Sequence, residues 1–386
     1  AAVTPAASPP RMVRPTSAPE RPITAPLVSP SRPNTARAPA LDAILARAIG
    51  AGASDILVHP DSVVRQRVAG TLVAGEGRFT AAQTDELLSR IVPEDLREVL
   101  RVDGEIDFTY PVAEVGRFRT SIYRQHRGLS GVFHFAPLTP PTLESLGLPQ
   151  DLARVTTYPQ GMVLVTGPAG CGKTSTLAAL VDLINEERHD HILTIEDPIE
   201  YLHTSKRCFV NQRQVRRHTE SFARALRAAL REDPDVICIG ELRDLETISL
   251  AMSAAETGHL VLATLHTNSA IRTINRIVGA FPSSQQGQIR TMLSESLRAV
   301  ISQRLLPAAT GQGVVAALEI LHVNPAIGNL IRDNKTFQIA SVLLTGRTRG
   351  QKALDHSLTE LVQAGVITAE VAAANSENPT AFKGGK

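Results

Sequence analysis

The octapeptide GPAGCGKT, Gly167 to Thr174, has the residue types and spacing to hold a polyphosphate. It matches GxxxxGK[ST] in full, follows an apolar strand-like run and opens a helical segment, which is the context that pattern requires. The stretch Gly167, Pro168, Ala169, Gly170, Cys171, Gly172 can turn its backbone N–H groups toward phosphate. Lys173 then supplies a point charge for the β- and γ-phosphates, the Thr174 hydroxyl can ligate Mg²⁺, and Ser175 continues the nucleotide-binding stretch. Cys171 reads as a small tolerated residue, with redox control of the loop as the alternative.

Three further apolar runs end in groups that could act on a bound phosphate. HILTI leads to Glu196, Asp197 and Glu200, DVICIG leads to Glu241, and LVLAT leads to His266. In an open parallel sheet, ligands bind outside the carboxyl ends of the strands. Asp235 lies at the amino end of its run, so Glu241 is the better Mg²⁺ carboxylate. Hydrolysis needs a second carboxylate to orient the attacking water. Glu196, Asp197 and Glu200 compete for that role, and spacing does not choose among them. For His266, a metal site would need more Cys/His ligands than His259 alone. A γ-phosphate sensor is preferred over a packing histidine because the residue ends a strand at the ligand edge.

The elements that must position these groups are legible as two patterns. From Gly161 onward, MVLVT, ILTI, VICI and LVLAT alternate with helical segments, which predicts a parallel sheet covered on both faces. Residues 219–232 and 285–306 carry apolar residues at helical spacing, and the last hundred residues read as mostly helical. Before that, ALDAILARAIG predicts a helix. Strands are expected at DILVHP, VVRQRV, TLVAG, EIDFTYP, RFRTSIYRQ and GVFHFAP, with a helical stretch over 80–101. The expected organisation is a Pro/Ala/Ser-rich disordered tail (1–40), an α+β domain (41–137), a linker (138–160) and an ATPase domain with a helical C-terminal region (161–386).

Composition sets limits. Residues 1–40 hold ten prolines, five Arg and one Glu, and the remaining chain has 35 basic and 37 acidic residues. The folded part is therefore not a bulk-basic nucleic-acid binder. No apolar run approaches the roughly 18 residues that span a bilayer, and the start shows no apolar signal-peptide core. The three cysteines form no CxxC pair, so a reducing, cytoplasmic setting is expected.

Four segments in order carry a resemblance. GPAGCGKT, LTIEDPIE (193–200), LREDPDVICIGELRD (230–244) and AAETGHLVLATLHTNSA (254–270) resemble the Walker A, Asp, Walker B and His boxes of the secretion ATPase superfamily. Within it, the short N-terminal domain, the missing tetracysteine insertion and NPAIGNLIRDNKTFQI (324–339) look like the pilus retraction (PilT) family. The resemblance implies a RecA-like P-loop domain with a mainly parallel sheet, preceded by a small PAS-like α+β domain. It implies a homohexamer that hydrolyses Mg²⁺-ATP to retract type IV pili, cytoplasmic and peripheral at the inner-membrane pilus base. The implied partners are a platform protein and a PilU-like paralogue, with no direct nucleic acid. Residue by residue it makes Glu200 the catalytic glutamate, Glu241 the Walker B glutamate, and His259 and His266 the His-box pair. Arg117, Arg119 and Arg124 lie in a stretch like the family's RFR segment, which reaches toward nucleotide.

Four positions depart from the family pattern. Ala169 and Cys171 stand where Thr and Ser are usual, His134 where Arg is common, and Gly328 where the AIR-type segment has Arg. The alternatives are an accessory PilU-like ATPase, or a secretion or DNA-uptake motor of the same superfamily. A nucleic-acid translocase is suggested by Arg213, Arg216, Arg217, Arg224, Arg227 and Arg231, but aromatics are nearly absent there. A non-hydrolysing paralogue is opposed by the presence of Lys173, Glu200 and Glu241.

Overall fold

The computed structural model describes residues 38–382, apart from 69, 138, 312 and 347–349. The proline-rich stretch therefore lies outside the described residues up to 37. Pro39 and Ala40, expected in the tail, instead open the first helix. Proline is tolerated in a first helical turn, where its missing N–H would have no partner anyway.

The N-terminal part runs α1 (Pro39–Gly50), β1 (Ala53–Val58), β2 (Ser62–Val68), β3 (Thr71–Phe79), α2 (Ala81–Ile91), α3 (Arg97–Val102), β4 (Glu105–Val112), β5 (Gly116–Gln125) and β6 (Gly128–Ala136). The strands form one sheet in the order β3-β2-β1-β6-β5-β4, with every neighbouring pair antiparallel. Strict alternation along β4 and β5 separates two faces. One face buries Ile56, Phe118, Ile122 and Phe133 with Leu41, Leu45, Leu88 and Ile91 of α1 and α2. The other face carries a polar row set by register: Thr109, Arg119, His134, Asp55 and Arg67 lie side by side across five strands.

The C-terminal part contains β7 (Gly161–Thr166), α4 (Lys173–Glu187), β8 (His191–Glu196), β9 (Phe209–Gln214), α5 (Phe222–Ala229), β10 (Val236–Ile239), α6 (Leu245–Glu256), β11 (Leu260–Leu265), α7 (Ala270–Gly279), α8 (Gln286–Ser296), β12 (Leu297–Pro307), β13 (Val314–His322) and α9 (Pro325–Arg332). Among the described residues, short α-helices follow at Ile339–Thr345, Leu354–Gln363 and Ala369–Asn375. The sheet order is β13-β12-β7-β11-β10-β8-β9, parallel except for β13. β7, β10 and β11 are buried at every position, as expected for strands covered on both faces. A core including α5, α6 and α7 covers one face, and one built on α4 covers the other.

The continuous helix expected over 285–306 is corrected. Ile289 and Leu293 keep helical spacing, but the helix ends at Ser296 and the chain becomes a strand. The consecutive run Ala299-Val300-Ile301 pairs in parallel with Val163-Leu164-Val165 of β7. An unbroken apolar run fits a strand buried on both faces, and pairing with two neighbours overrides the helical periodicity upstream. The last hundred residues, read as mostly helical, are likewise interrupted: β12 and β13 lie between the end of α8 and the helices that follow.

Gly328 is buried where α9 packs on α8, and a Cβ there would stand 2.9 Å from the Ser294 carbonyl oxygen. Alanine would gain up to about 1 kcal/mol of helix propensity. Overpacking against backbone costs about 1–3 kcal/mol. Gly328→Ala is therefore expected to lower the thermal unfolding midpoint, and an unchanged or raised midpoint would contradict this packing.

Candidate active site

The phosphate loop leaves β7 beneath Gln303 of β12. Gly167 adopts φ +148°, and a Cβ there would overlap the Gln303 carbonyl oxygen and the Cys171 sulfur. Gly172 turns left-handed at φ +85° as the N-cap of α4. Its Cβ would fall 2.9 Å from Gln303 Nε2, so glycine is required at both positions. The Gln303 side chain braces the turn: Nε2 donates to Cys171 O at 2.6 Å, and Oε1 accepts from Thr176 Oγ1 at 2.8 Å. α4 starts at Lys173 without a side-chain cap, so its first N–H groups, among them those of Thr174 and Ser175, face the loop as an anion-binding end. Burial pushes the Cys171 thiol upward, which argues against a reactive thiolate within the loop.

Lys173 is buried, and its ammonium donates to Gly167 O at 2.9 Å and Pro168 O at 2.8 Å. It also lies 3.3 Å from His266 Nδ1. The other ring nitrogen, Nε2, is 3.0 Å from Glu241 Oε1. An ammonium can only donate, so Nδ1 accepts, and the Nε2–H tautomer satisfies both contacts. Arg243 Nε donates to Glu241 Oε2 at 2.8 Å and closes the line Lys173–His266–Glu241–Arg243. The carboxyl ends of β7, β10 and β11 deliver these groups to one edge, while Asp235 accepts from His191 N at the opposite edge.

The acidic turn after β8 separates its three carboxylates. Glu196 accepts from Thr194 Oγ1 at 2.7 Å, from Gln212 Nε2 at 3.1 Å, and from the Glu200 backbone N–H. Burial nonetheless pushes its pKa up. Glu200 instead lines a polar cavity beside Ser175 and Tyr201, facing Arg117, Arg119 and His134 of the N-terminal sheet. Asp197 is not among the cavity's lining residues. Tyr201 hydroxyl and Ser175 Oγ are 2.9 Å apart, tying the acidic turn to the start of α4. Burial pushes the Arg117 guanidinium down, Glu196 pulls it back up and Arg217 lowers it further. Its Nη1 is buried without a hydrogen-bond partner. A buried, unpaired cationic donor beside a phosphate loop fits an anionic ligand.

Comparison with known proteins gives this edge a context. The profile of the type II/IV secretion system protein family matches residues 142–385. A twitching motility protein of Neisseria gonorrhoeae is 49% identical over 300 residues, covering 78% of this chain and 80% of the relative. A type IV pilus retraction ATPase, PilT, of Pseudomonas aeruginosa is also 49% identical over 300 residues, covering 78% of this chain and 87% of its own. The chain belongs to the type II/IV secretion system protein family. Its fold is that of the crystal structure of the pilus retraction motor PilT with bound ADP: TM-score 0.81, 43% identity, 88% of this chain and 98% of that one covered.

In this secretion-system protein two expected contacts fall away from the edge. His259 precedes β11, at the end opposite His266, and its Nδ1 lies 2.9 Å from Ala254 O. It fixes the turn after α6 and does not reach the phosphate loop. Arg124 sits seven residues beyond Arg117 on β5, and its odd offset turns it to the other face of the strand. Its backbone N–H pairs with Gly104 O, and it is not part of the cavity lining. The arginines that suggested nucleic acid are partly neutralised: Arg213 pairs with Glu232 at 3.0 Å, Arg224 with Glu220, and Arg227 with Glu246. Sequence reading missed Gln303, Gln212 and Tyr201. Only Tyr201 carried a signal, its adjacency to Glu200.

Among the described residues no helix is long and apolar enough to cross a membrane.

Proposed function

We propose that this chain is a Mg²⁺-dependent ATP hydrolase that works as a homohexamer and retracts type IV pili. The supporting observation is the meeting of Lys173, Glu241 and His266 at one strand edge with a complete phosphate loop, Glu200 lining the adjoining cavity, in a chain with these relatives. The chain is a P-loop ATPase of its family.

The loop N–H groups, including that of Ser175, cradle the phosphates, and Lys173 shifts its donors from loop carbonyls to phosphate oxygens. Arg117 and Arg119 meet the same polyphosphate from the N-terminal sheet. Glu200 accepts a proton as water oxygen bonds to the γ-phosphorus and the bond to the β,γ-bridging oxygen breaks. Glu196, committed to three donors, holds the turn that presents Glu200. Mg²⁺ would be held by Thr174 and, partly through water, by Glu241, and would supply positive charge against the phosphates there. His266 joins Lys173 to Glu241, so a change at the γ-phosphate reaches the Glu241 carboxylate through its ring. The chain acts in the cytoplasm, peripherally at the inner-membrane pilus base, on a platform protein and alongside a PilU-like paralogue.

Phosphate release by the purified full chain tests the enzymatic part: turnover with Mg²⁺ that disappears on chelation is expected. Turnover indifferent to chelation would count against it. His266→Ala is expected to keep nucleotide binding and lose about tenfold to a thousandfold in turnover. Unchanged turnover would return His266 to a packing role.

A further inference from the structure

The polar row on the N-terminal sheet places a histidine in the same cavity as the proposed base. His134 Nδ1 lies 2.8 Å from Asp55 Oδ1, directly across the β1–β6 pairing. Asp55 is itself anchored by Ser54 Oγ at 2.7 Å and faces Arg67 at 3.7 Å. On the other side, His134 sits opposite Arg119 in the β5–β6 register. The cavity continues from Arg117, Arg119 and His134 to Glu200, Tyr201 and Ser175 in the first turn of α4. A ligand bearing several phosphates at the α4 end would meet this row as a positive wall.

We propose that His134, held by Asp55, is a proton-dependent cation of the nucleotide cleft, so that the cleft binds the polyphosphate of a nucleotide more tightly in acid than in alkaline solution. The inference rests on the nucleotide-site reading above and adds to it a residue whose charge is conditional. An arginine at this register would hold its charge at any physiological pH.

Of the charged groups facing His134, Asp55 and Glu200 favour its cation and Arg119 opposes it. The Asp55 hydrogen bond raises its pKa most, and burial opposes. The Asp55 and Glu200 charges raise it further, and the Arg119 charge lowers it, for a net upward direction. Asp55 shifts down in step, led by its hydrogen bond to His134. The cation therefore persists above the ordinary histidine value of about 6.5 and is lost as pH rises through the raised value. Asp55 stays ionised throughout that window.

The test is binding of Mg²⁺-ADP to the full chain between about pH 6 and about pH 8.5, a range that brackets histidine titration. Wild-type affinity is expected to fall about fivefold across it, the effect of one charge acting through partly screened solvent. His134→Arg should bind tightly with little slope, and His134→Gln weakly with little slope. Asp55→Asn should move the fall to lower pH. An equal fall in wild type and His134→Arg would overturn the inference, because the titrating group would lie elsewhere. So would a wild-type slope retained in His134→Gln. Wild-type ADP binding that survives Lys173→Ala unchanged would instead sink the nucleotide-site reading, and no ADP binding at any pH would sink both.

Discussion

Glu200→Gln is expected to keep nucleotide binding and to lose about 10²- to 10⁴-fold in phosphate release, the usual worth of a positioned general base. Glutamine preserves the shape and the cavity contacts but cannot accept the proton. The two neighbouring carboxylates cannot take over. Glu196 is half-buried and already accepts from Thr194, Gln212 and the Glu200 backbone, while Asp197 does not line the cavity. Single-turnover phosphate release alongside equilibrium binding separates the two effects. Turnover near wild type in Glu200→Gln, with loss in Asp197→Asn, would move the base to Asp197.

Lys173→Ala is expected to lose both binding and turnover. The ammonium is buried and donates to Gly167 O and Pro168 O, both within the loop that must hold phosphate. Hydrogen bonds from a charged group contribute about 1.5–3 kcal/mol each, so affinity should fall by at least about 10². The deletion also removes the contact with His266 Nδ1 and leaves the His266–Glu241 pair without its link to the loop. Lys173→Arg is not expected to restore function, since a planar fork does not fit a site built for a compact point charge. Nucleotide titration and steady-state turnover of the same protein check this, and wild-type values in Lys173→Ala would remove the phosphate loop from the account.

What was legible in the sequence follows from locality. The phosphate loop is one contiguous stretch, and parallel strands all point one way, so their carboxyl-end residues can be placed together without knowing the strand order. The alternation in RFRTSIYRQ likewise assigns Arg117 and Arg119 to one face. The failures lie where the deciding partner is distant in sequence. β12 was hidden because its pairing with β7 joins residues more than 130 positions apart. Gln303, which braces the loop, was hidden with it. Glu196, Asp197 and Glu200 looked equivalent until Gln212 on β9 showed which carboxylate is already occupied. His259 and Arg124 fell away because a strand separates its two ends and its two faces, a distinction that a list of motif residues erases.

The central claim is that this machinery pulls pili in. The most direct measurement is imaging of pili in cells from which the gene has been deleted, complemented with wild type or with Glu200→Gln. The account predicts pili that extend but no longer retract after deletion, with retraction restored by wild type and not by Glu200→Gln. Normal retraction without the gene, or loss of pilus extension, would contradict it.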